Sequence, residues 1–146
     1  MTVVLDASAI VALVADEPAG AEVADQLGAS GGTCSAVNLA EVLDWLIRIG
    51  RVDPAEARGA LTAVRAAGLA VVPCDEAIAV RAGELRASWY DRRTAALSLA
   101  DCMAMATADA LGAALVTSDG VLCRVAQRAG IRVHPVPNSS GRRPRA

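Results

Sequence analysis

The stretch Thr2-Val3-Val4-Leu5-Asp6-Ala7-Ser8 decides the fold of this chain. The apolar run Val3-Val4-Leu5 predicts a buried strand over residues 2–5, and the largely apolar stretch over residues 7–14 predicts a helix. Asp6 stands at the point where the strand ends and the helix begins. In an open parallel α/β sheet, the carboxyl ends of the strands and the amino ends of the following helices share one edge. We therefore expect Asp6 to lie at that edge.

Three further acids occupy similar positions in the chain. Asp119 follows the apolar run of residues 113–116, while Glu41 and Asp101 each open a stretch with helical character. Four carboxylates that are far apart in sequence are therefore expected to converge at one edge of the sheet. Such a cluster is unfavourable unless its members are protonated or neutralised by a cation. Hard oxygen ligands favour Mg²⁺ or Mn²⁺.

Predicted strands and helices alternate along the whole chain. The strands are predicted at residues 2–5, 33–36, 69–74, 113–117 and 131–136. The helices are predicted at residues 7–14, 19–27, 38–49, 54–67, 76–90, 98–111 and 121–129. This alternation predicts a three-layer α/β/α domain with a mainly parallel central sheet. We expect the domain to cover residues 1–137 and residues 138–146, which include three arginines, to form a flexible basic tail.

The composition excludes several classes of function. A hydrophobic fraction of 54% over 146 residues favours a single folded domain over a disordered chain. The formal charge of −2 provides no overall basic field for nucleic acid, and only Trp45, Trp89 and Tyr90 are available for base stacking. All 14 basic residues are arginines. A P-loop, Schiff-base chemistry and a phospho-acceptor receiver site are excluded because each depends on a lysine.

We expect a cytoplasmic protein without a membrane partner. The four cysteines form no CxxC pair, which favours buried thiols in a reducing compartment over disulfides or a zinc site. Asp6 interrupts the apolar start and no basic region precedes it, so a secretory signal is not expected. No uninterrupted apolar run approaches the length that spans a membrane.

Each acid also has a simpler explanation as a helix cap. Asp6 and Asp119 fit N-caps, Asn38-Leu-Ala-Glu41 fits a capping box with Glu41 at its third position, and Ser98-Leu-Ala-Asp101 fits a looser box. For any one acid alone, capping is the better interpretation. Asp75 also follows a predicted strand, and we interpret it as a cap only.

The combination of residues favours a functional site. Ser8 lies two residues after Asp6, and Thr117 lies two residues before Asp119. Short hydroxyls beside carboxylates can orient those carboxylates or a bound water, as groups around metal ligands do. Helix N-termini also keep carboxylates ionised, and therefore available as ligands at neutral pH.

Several segments match one known family, in order and across nearly the whole chain. The segments are Val3-Val4-Leu5-Asp6-Ala7-Ser8-Ala9, Ser35-Ala-Val-Asn-Leu-Ala-Glu41-Val42, Val72-Pro73-Cys74-Asp75, Ala82-Gly83-Glu84-Leu85, Leu97-Ser98-Leu99-Ala100-Asp101-Cys102 and Leu115-Val116-Thr117-Ser118-Asp119. With them the chain resembles PIN-domain ribonucleases, and specifically the VapC-type toxins of prokaryotic toxin–antitoxin pairs. The resemblance implies a PIN-like fold and a Mg²⁺-dependent endoribonuclease, with Mn²⁺ as a substitute, that hydrolyses RNA phosphodiester bonds.

The resemblance also assigns roles to the four acids. Asp6, Glu41, Asp101 and Asp119 match the catalytic acidic quartet of the family. Asp6 and Asp101 match its metal ligands, Asp119 would bind metal or position the water, and Glu41 would complete the site. A metal held there would polarise the scissile phosphate and lower the pKa of its bound water.

Partners follow from the same resemblance. It implies a homodimer and a cognate antitoxin, and Trp45 is a candidate for lining a groove for a partner helix, with core packing as the alternative. Because aromatic residues are few and the charge is acidic, we expect recognition of a structured RNA by shape, with a tRNA as the expected substrate. The arginines at 92, 93, 142, 143 and 145 are candidates for phosphate contacts; a plain polar loop and a solvated tail are the alternatives.

Two other functions remain open at this point. One keeps the PIN site but makes the protein a housekeeping RNA-processing or DNA-directed nuclease. The other is a non-catalytic binding module in which the acids only cap helices. Titration with Mn²⁺ separates the binding module from the two nucleases, because a catalytic quartet binds the ion and scattered caps do not.

Overall fold

Five short parallel strands form the central sheet of the computed structural model, which describes residues 2–145. The strands are β1 (Val3–Leu5), β2 (Gly32–Ser35), β3 (Leu69–Val72), β4 (Ala114–Thr117) and β5 (Val133–Pro135). Their order across the sheet is β3-β2-β1-β4-β5. Each neighbouring pair is parallel, with Val4 opposite Thr33 and Leu5 opposite Val116. The predicted parallel sheet is confirmed, and β1 lies at its centre.

Helices cover both faces of this sheet. They are α1 (Ala7–Val14), α2 (Gly20–Ser30), α3 (Ala36–Asp44), α4 (Pro54–Ala66), α5 (Glu76–Trp89), α6 (Leu99–Ala110) and α7 (Gly120–Arg128). Alternate residues of β1 point to opposite cores, as the pleat of a strand requires. Val3 and Leu5 pack with residues of α1–α4, whereas Val4 packs with residues of α5–α7. The predicted three-layer α/β/α arrangement is therefore confirmed.

Helix α3 departs most from the predicted element, which covered residues 38–49. It begins at Ala36, because the Ser35 hydroxyl accepts the backbone N–H of Asn38 at 3.0 Å and caps the helix. It is continued by the π-helical segment Trp45–Ile49. There the N–H of Gly50 donates to the carbonyl of Trp45 at 2.9 Å, a bond that spans five residues. Single π-turns of this kind occur frequently at functional sites.

The last segment of the chain lies against the domain. The side-chain oxygen of Asn138 accepts the backbone N–H of Ser140 and that of Arg142, each at 3.0 Å. The guanidinium of Arg143 lies 2.8 Å from Oε2 of Glu22 in α2. Ala146 lies outside the described residues. The domain boundary at residue 137 and the flexible tail over 138–146 stay predictions.

The cysteines and the surface add two observations. Cys34, Cys102 and Cys123 are buried, as expected, and all four thiols are free. The expectation is wrong for Cys74, which is exposed because it lies in the turn between β3 and α5. No helix within residues 2–145 is both long enough and apolar enough to cross a membrane.

Candidate active site

Asp6 forms the buried centre of the candidate site. Its side chain is only 4% exposed, and it caps α1 by accepting the backbone N–H of Ala9 at 2.9 Å. The same oxygen accepts the hydroxyl of Ser8 at 2.7 Å, and the other oxygen accepts the hydroxyl of Thr117 at 2.5 Å. Three hydrogen bonds, from the start of α1 and the end of β4, therefore fix the orientation of this carboxylate.

The loop after β4 is tied to Asp6 through the same two hydroxyls. Thr117 accepts the backbone N–H of Asp119 at 3.0 Å, and Ser8 accepts the backbone N–H of Ser118 at 3.0 Å. Asp119 caps α7, with one oxygen accepting the N–H groups of Val121 and Leu122 at 2.7 and 2.9 Å. The prediction that short hydroxyls orient a carboxylate is confirmed for Asp6.

Asp101 lies in the first turn of α6. The Ser98 hydroxyl accepts the backbone N–H of Asp101 at 3.0 Å, and Oδ2 of Asp101 accepts the backbone N–H of Ser98 at 2.7 Å. This is a complete capping box, so the local interpretation of Ser98-Leu-Ala-Asp101 is confirmed. The box holds the carboxylate at the amino end of α6, next to the edge of the sheet.

Glu41 does not belong to the capping box predicted for Asn38-Leu-Ala-Glu41. That prediction is wrong because Ser35 is the N-cap of α3 and Asn38 stands three residues further on. The Asn38 amide instead donates to Oε2 of Glu41 at 3.3 Å and to the carbonyl of Ala100 at 3.2 Å. Glu41 therefore has no capping role that would explain its presence.

Asn38 is the residue that the sequence pattern misassigned. It is buried, and its amide bridges Glu41 in α3 to the residue that precedes Asp101 in α6. Its carbonyl oxygen accepts the Ser35 hydroxyl at 2.5 Å, which fixes the direction of the amide. The signal in the sequence was Ser35 itself, because serine is a preferred N-cap residue and its hydroxyl accepts the N–H of Asn38 three positions later.

The charge of a neighbouring acid raises the pKa of three of the four carboxyls, in addition to the effect of burial. Burial raises the pKa of Asp6 to about 6, and the charge of Asp101 adds to that rise. Burial also raises the pKa of Glu41 and the pKa of Asp101. The charge of Asp101 raises the pKa of Glu41, and the charge of Asp119 raises that of Asp101. Asp101 therefore lies within electrostatic range of each of the other three acids.

The donor chemistry of this cluster fits a hard divalent cation. One oxygen each of Glu41, Asp101 and Asp119 accepts none of the hydrogen bonds found within residues 2–145. On Asp6, Oδ2 accepts one hydrogen bond and keeps a second lone pair. Carboxylate oxygens with free lone pairs are the ligands that Mg²⁺ prefers.

The side chains of residues 2–145 as placed do not surround a single ion. Within the part of the chain that the structure describes, no group of three or more His, Cys, Asp or Glu side chains could hold one ion as placed. Mg²⁺ commonly uses one or two carboxylates together with waters and substrate phosphates. Two ligands, Asp6 and Asp101, remain compatible with that pattern.

The raised pKa of Asp6 leads to a prediction about the metal-free protein. A carboxyl whose folded-state pKa is about 6, against 3.8 ordinarily, binds its proton more tightly in the folded state. Its contribution to stability is therefore present at low pH and is lost as the pH rises from about 4 to about 7, a change of about 3 kcal/mol. The raised pKa values of Glu41 and Asp101 also make the folded protein less stable as the pH rises.

The measurement is urea unfolding in chelator across that pH range, for the wild type and for Asp6→Asn. We expect the stability of the variant relative to the wild type to increase with pH, because an asparagine side chain cannot ionise. A difference that does not change with pH would show that burial does not raise the pKa of Asp6.

Three of the arginines predicted to contact phosphate make no contact with the four acids among the hydrogen bonds and ion pairs found within residues 2–145. Arg92 and Arg93 are exposed in a turn, where Asp91 accepts the N–H of Arg93 at 2.8 Å. Arg143 is engaged by Glu22, on α2. The proposal that these arginines contact phosphate stays a prediction.

The family is established by a family model. The model for the PIN domain matches residues 3–128, which include all four acids. The chain therefore belongs to the PIN-domain family. No curated protein matches it significantly.

Solved structures share the fold at low sequence identity. The chain is similar to DNA-bound VapBC from Salmonella typhimurium, with a TM-score of 0.71 and 21% identity over 92% of this chain and 97% of that one. It is similar to VapC20 of Mycobacterium tuberculosis, described as a sarcin-ricin loop cleaving toxin, with a TM-score of 0.66 and 22% identity over 88% and 95%. It is also similar to a toxin–antitoxin complex from Klebsiella pneumoniae, with a TM-score of 0.57 and 20% identity over 80% of this chain and 86% of that one.

Proposed function

We propose that this PIN-domain protein is a Mg²⁺-dependent endoribonuclease of the VapC toxin type, with Mn²⁺ able to replace Mg²⁺. The observation that carries the proposal is the electrostatic coupling of four carboxylates around Asp101. Capping accounts for three of these acids individually, but not for their convergence and not for Glu41. Family membership supports the same conclusion, because the matched residues include the whole cluster.

The proposed roles follow from the contacts of each acid. Asp6 and Asp101 would hold the cation, which when bound would polarise the scissile phosphate and lower the pKa of its water. Asp6 is suited to this because Ser8 and Thr117 keep its carboxylate in one orientation. Asp119 would orient the attacking water or share the ion, and Asn38 would keep the Glu41 carboxylate directed at the site.

The proposed partners are an antitoxin and a second copy of the chain. One protein with this fold is solved as a toxin–antitoxin complex. A cluster of carboxylates offers acceptors for a bidentate guanidinium, so we expect the antitoxin to use an arginine there. A homodimer is part of the same proposal. The proposed setting is the cytoplasm, where the RNA substrate is found.

The proposed substrate is a structured RNA, with a tRNA expected. The chain has no lysine and a net charge of −2, so it lacks the broad basic surface that binds any RNA. Recognition should depend on the shape of a folded RNA that presents one loop to the acids. VapC20, which shares the fold, is described as cleaving the sarcin-ricin loop.

The test is cleavage of defined RNA pools by the purified chain with Mg²⁺. Total tRNA, ribosomal RNA and an unstructured RNA of equal length are each incubated with the protein, and the new ends are sequenced. We expect one or a few discrete cuts in a folded RNA and little cutting of the unstructured one. Cuts at many positions in the unstructured RNA would contradict recognition by shape, and no cleavage of any pool with Mg²⁺ or Mn²⁺ would contradict the proposed function.

A further inference from the structure

A cavity of about 360 Å³ is lined by Glu41, one of the four acids, and by Ser8 and Ser118, which are close in sequence to Asp6 and Asp119. Glu41 and Ser8, which contacts Asp6, form the wall that faces the cluster. The remaining wall includes Trp45, Glu17, Asn138 and Ser139, which come from three separate parts of the chain. Its size lies within the range of small-ligand pockets. An RNA bound at Glu41 would therefore lie next to this cavity.

Trp45 is placed in this cavity by the helix that carries Glu41. Residues four apart lie on the same face of a helix, and the backbone N–H of Trp45 donates to the carbonyl of Glu41. Trp45 also begins the π-helical segment, so the turn that carries the indole differs from the rest of α3. The indole is half-buried and keeps part of its surface in the cavity.

The other two aromatic rings are used elsewhere. The guanidinium carbon of Arg128 lies 5.6 Å from the ring of Trp89, and that of Arg86 lies 4.4 Å from the ring of Tyr90. Neither ring lines the cavity beside the acids. Trp45 is therefore the one aromatic ring of residues 2–145 that a substrate at the acids can reach by this route.

The rim of the cavity carries polar groups without partners. No hydrogen bond found within residues 2–145 uses the Glu17 carboxylate, the Ser139 hydroxyl or the amide nitrogen of Asn138, whose oxygen is occupied by Ser140 and Arg142. The cavity thus combines a flat apolar surface with free acceptors and free donors. A ligand that matches it is planar, with polar atoms along its edge.

On the basis of the proposed function, we infer that this cavity is the subsite for one unpaired base of the substrate RNA, stacked on Trp45. Unpaired bases are commonly recognised by stacking on an aromatic ring and by hydrogen bonds to their edges. The Glu17 carboxylate only accepts, so it favours a base with an exocyclic amino group, such as adenine or cytosine, over uracil. An amphipathic helix, about 10 Å across, would cover this cavity without filling it.

Binding is tested with protein in which Asp101→Asn slows cleavage and Trp89→Phe leaves Trp45 as the only tryptophan. The probes are the RNA tetranucleotide CACA and the same backbone with abasic sites, both with Mg²⁺. We expect CACA to quench the fluorescence of Trp45 and the abasic backbone not to do so. Trp45→Leu removes the fluorescent indole, so its binding is measured with fluorescently labelled CACA. This variant should bind CACA about 5- to 100-fold more weakly, as the loss of one stacked base does.

Two variants separate stacking from simple loss of packing, because Trp45 also contacts the core. Trp45→Phe keeps an aromatic ring and should stay within about 3-fold of the parent in CACA binding. Glu17→Gln leaves the packing unchanged and should remove the preference for CACA over the uridine tetranucleotide. The matched control is Trp89→Leu, made in the wild-type chain and compared with Trp45→Leu made in the same chain. It also removes an indole, and it should leave RNA binding and the cleavage position unchanged.

Failure of this inference is distinguishable from failure of the proposed function. If the wild type cleaves RNA and Trp45→Leu cleaves at the same position with the same KM, the subsite is wrong and the nuclease stands. If Trp45→Leu loses only neutralisation by an antitoxin, the cavity receives a protein segment and the inference is overturned. If no RNA is cleaved, the proposed function fails, and quenching by CACA still reports on the cavity alone. Equal quenching by the abasic backbone, or none by CACA, overturns the subsite.

Discussion

Asp101→Asn is expected to lower the rate of RNA cleavage by about 10²–10³-fold while leaving the protein folded, as removal of one charge-stabilising group does in other enzymes. Asp101 is the acid whose charge couples to each of the other three. Asparagine keeps an oxygen that can accept the N–H of Ser98, so the first turn of α6 is preserved. Single-turnover cleavage at saturating protein measures the loss without interference from product release.

The chain supplies its own control for this experiment. Asp75 also follows a strand and also caps a helix, with its carboxylate accepting the N–H of Ile78 at 2.9 Å. Asp75→Asn therefore makes the same chemical change at the same kind of position, without touching the coupled cluster. We expect it to retain wild-type cleavage. Equal losses in the two variants would mean that capping, and not a catalytic cluster, explains the effect of Asp101→Asn.

The local pattern of the sequence was sufficient to predict the sheet and the position of the acids. The transition from strand to acid to helix at Leu5, Asp6 and Ala7 depends on neighbouring residues alone, and the structure reproduces it. Asp119 is equally local, since it follows β4 directly and caps α7. Because parallel strands share one edge, local positions then determine a non-local cluster.

What the sequence did not determine depends on contacts between distant elements. The choice between Ser35 and Asn38 as the cap of α3 is not decided by either pattern alone. It is settled by packing, because the Asn38 amide reaches the carbonyl of Ala100, 62 residues away. The π-turn at Trp45 and the placement of Glu41 and Asn138 in the wall of one cavity have no local signature either. The cavity that Trp45, Glu41 and Asn138 line was therefore not predicted.

Removal of the divalent cation is expected to have the second large effect. In excess chelator, cleavage should fall by about 10³-fold or more, since the proposed cation supplies the main stabilisation of charge at the phosphate. Mg²⁺ or Mn²⁺ should restore it. Ca²⁺ should bind but support little turnover, because its looser coordination positions the water poorly. Full activity in chelator would exclude a metal mechanism for this site.

Metal binding can also be followed without activity, through stability. At neutral pH the coupled carboxylates repel one another, so an ion that binds only the folded state raises the free energy of unfolding by about 2.7 kcal/mol at about 100 times its Kd. Asp6→Asn combined with Asp101→Asn should abolish this gain, whereas Asp75→Asn should keep it. The two readouts distinguish between mechanisms: stabilisation by Mn²⁺ without cleavage would describe a metal-binding PIN domain that lacks nuclease activity, and cleavage without stabilisation would place the essential ion on the RNA.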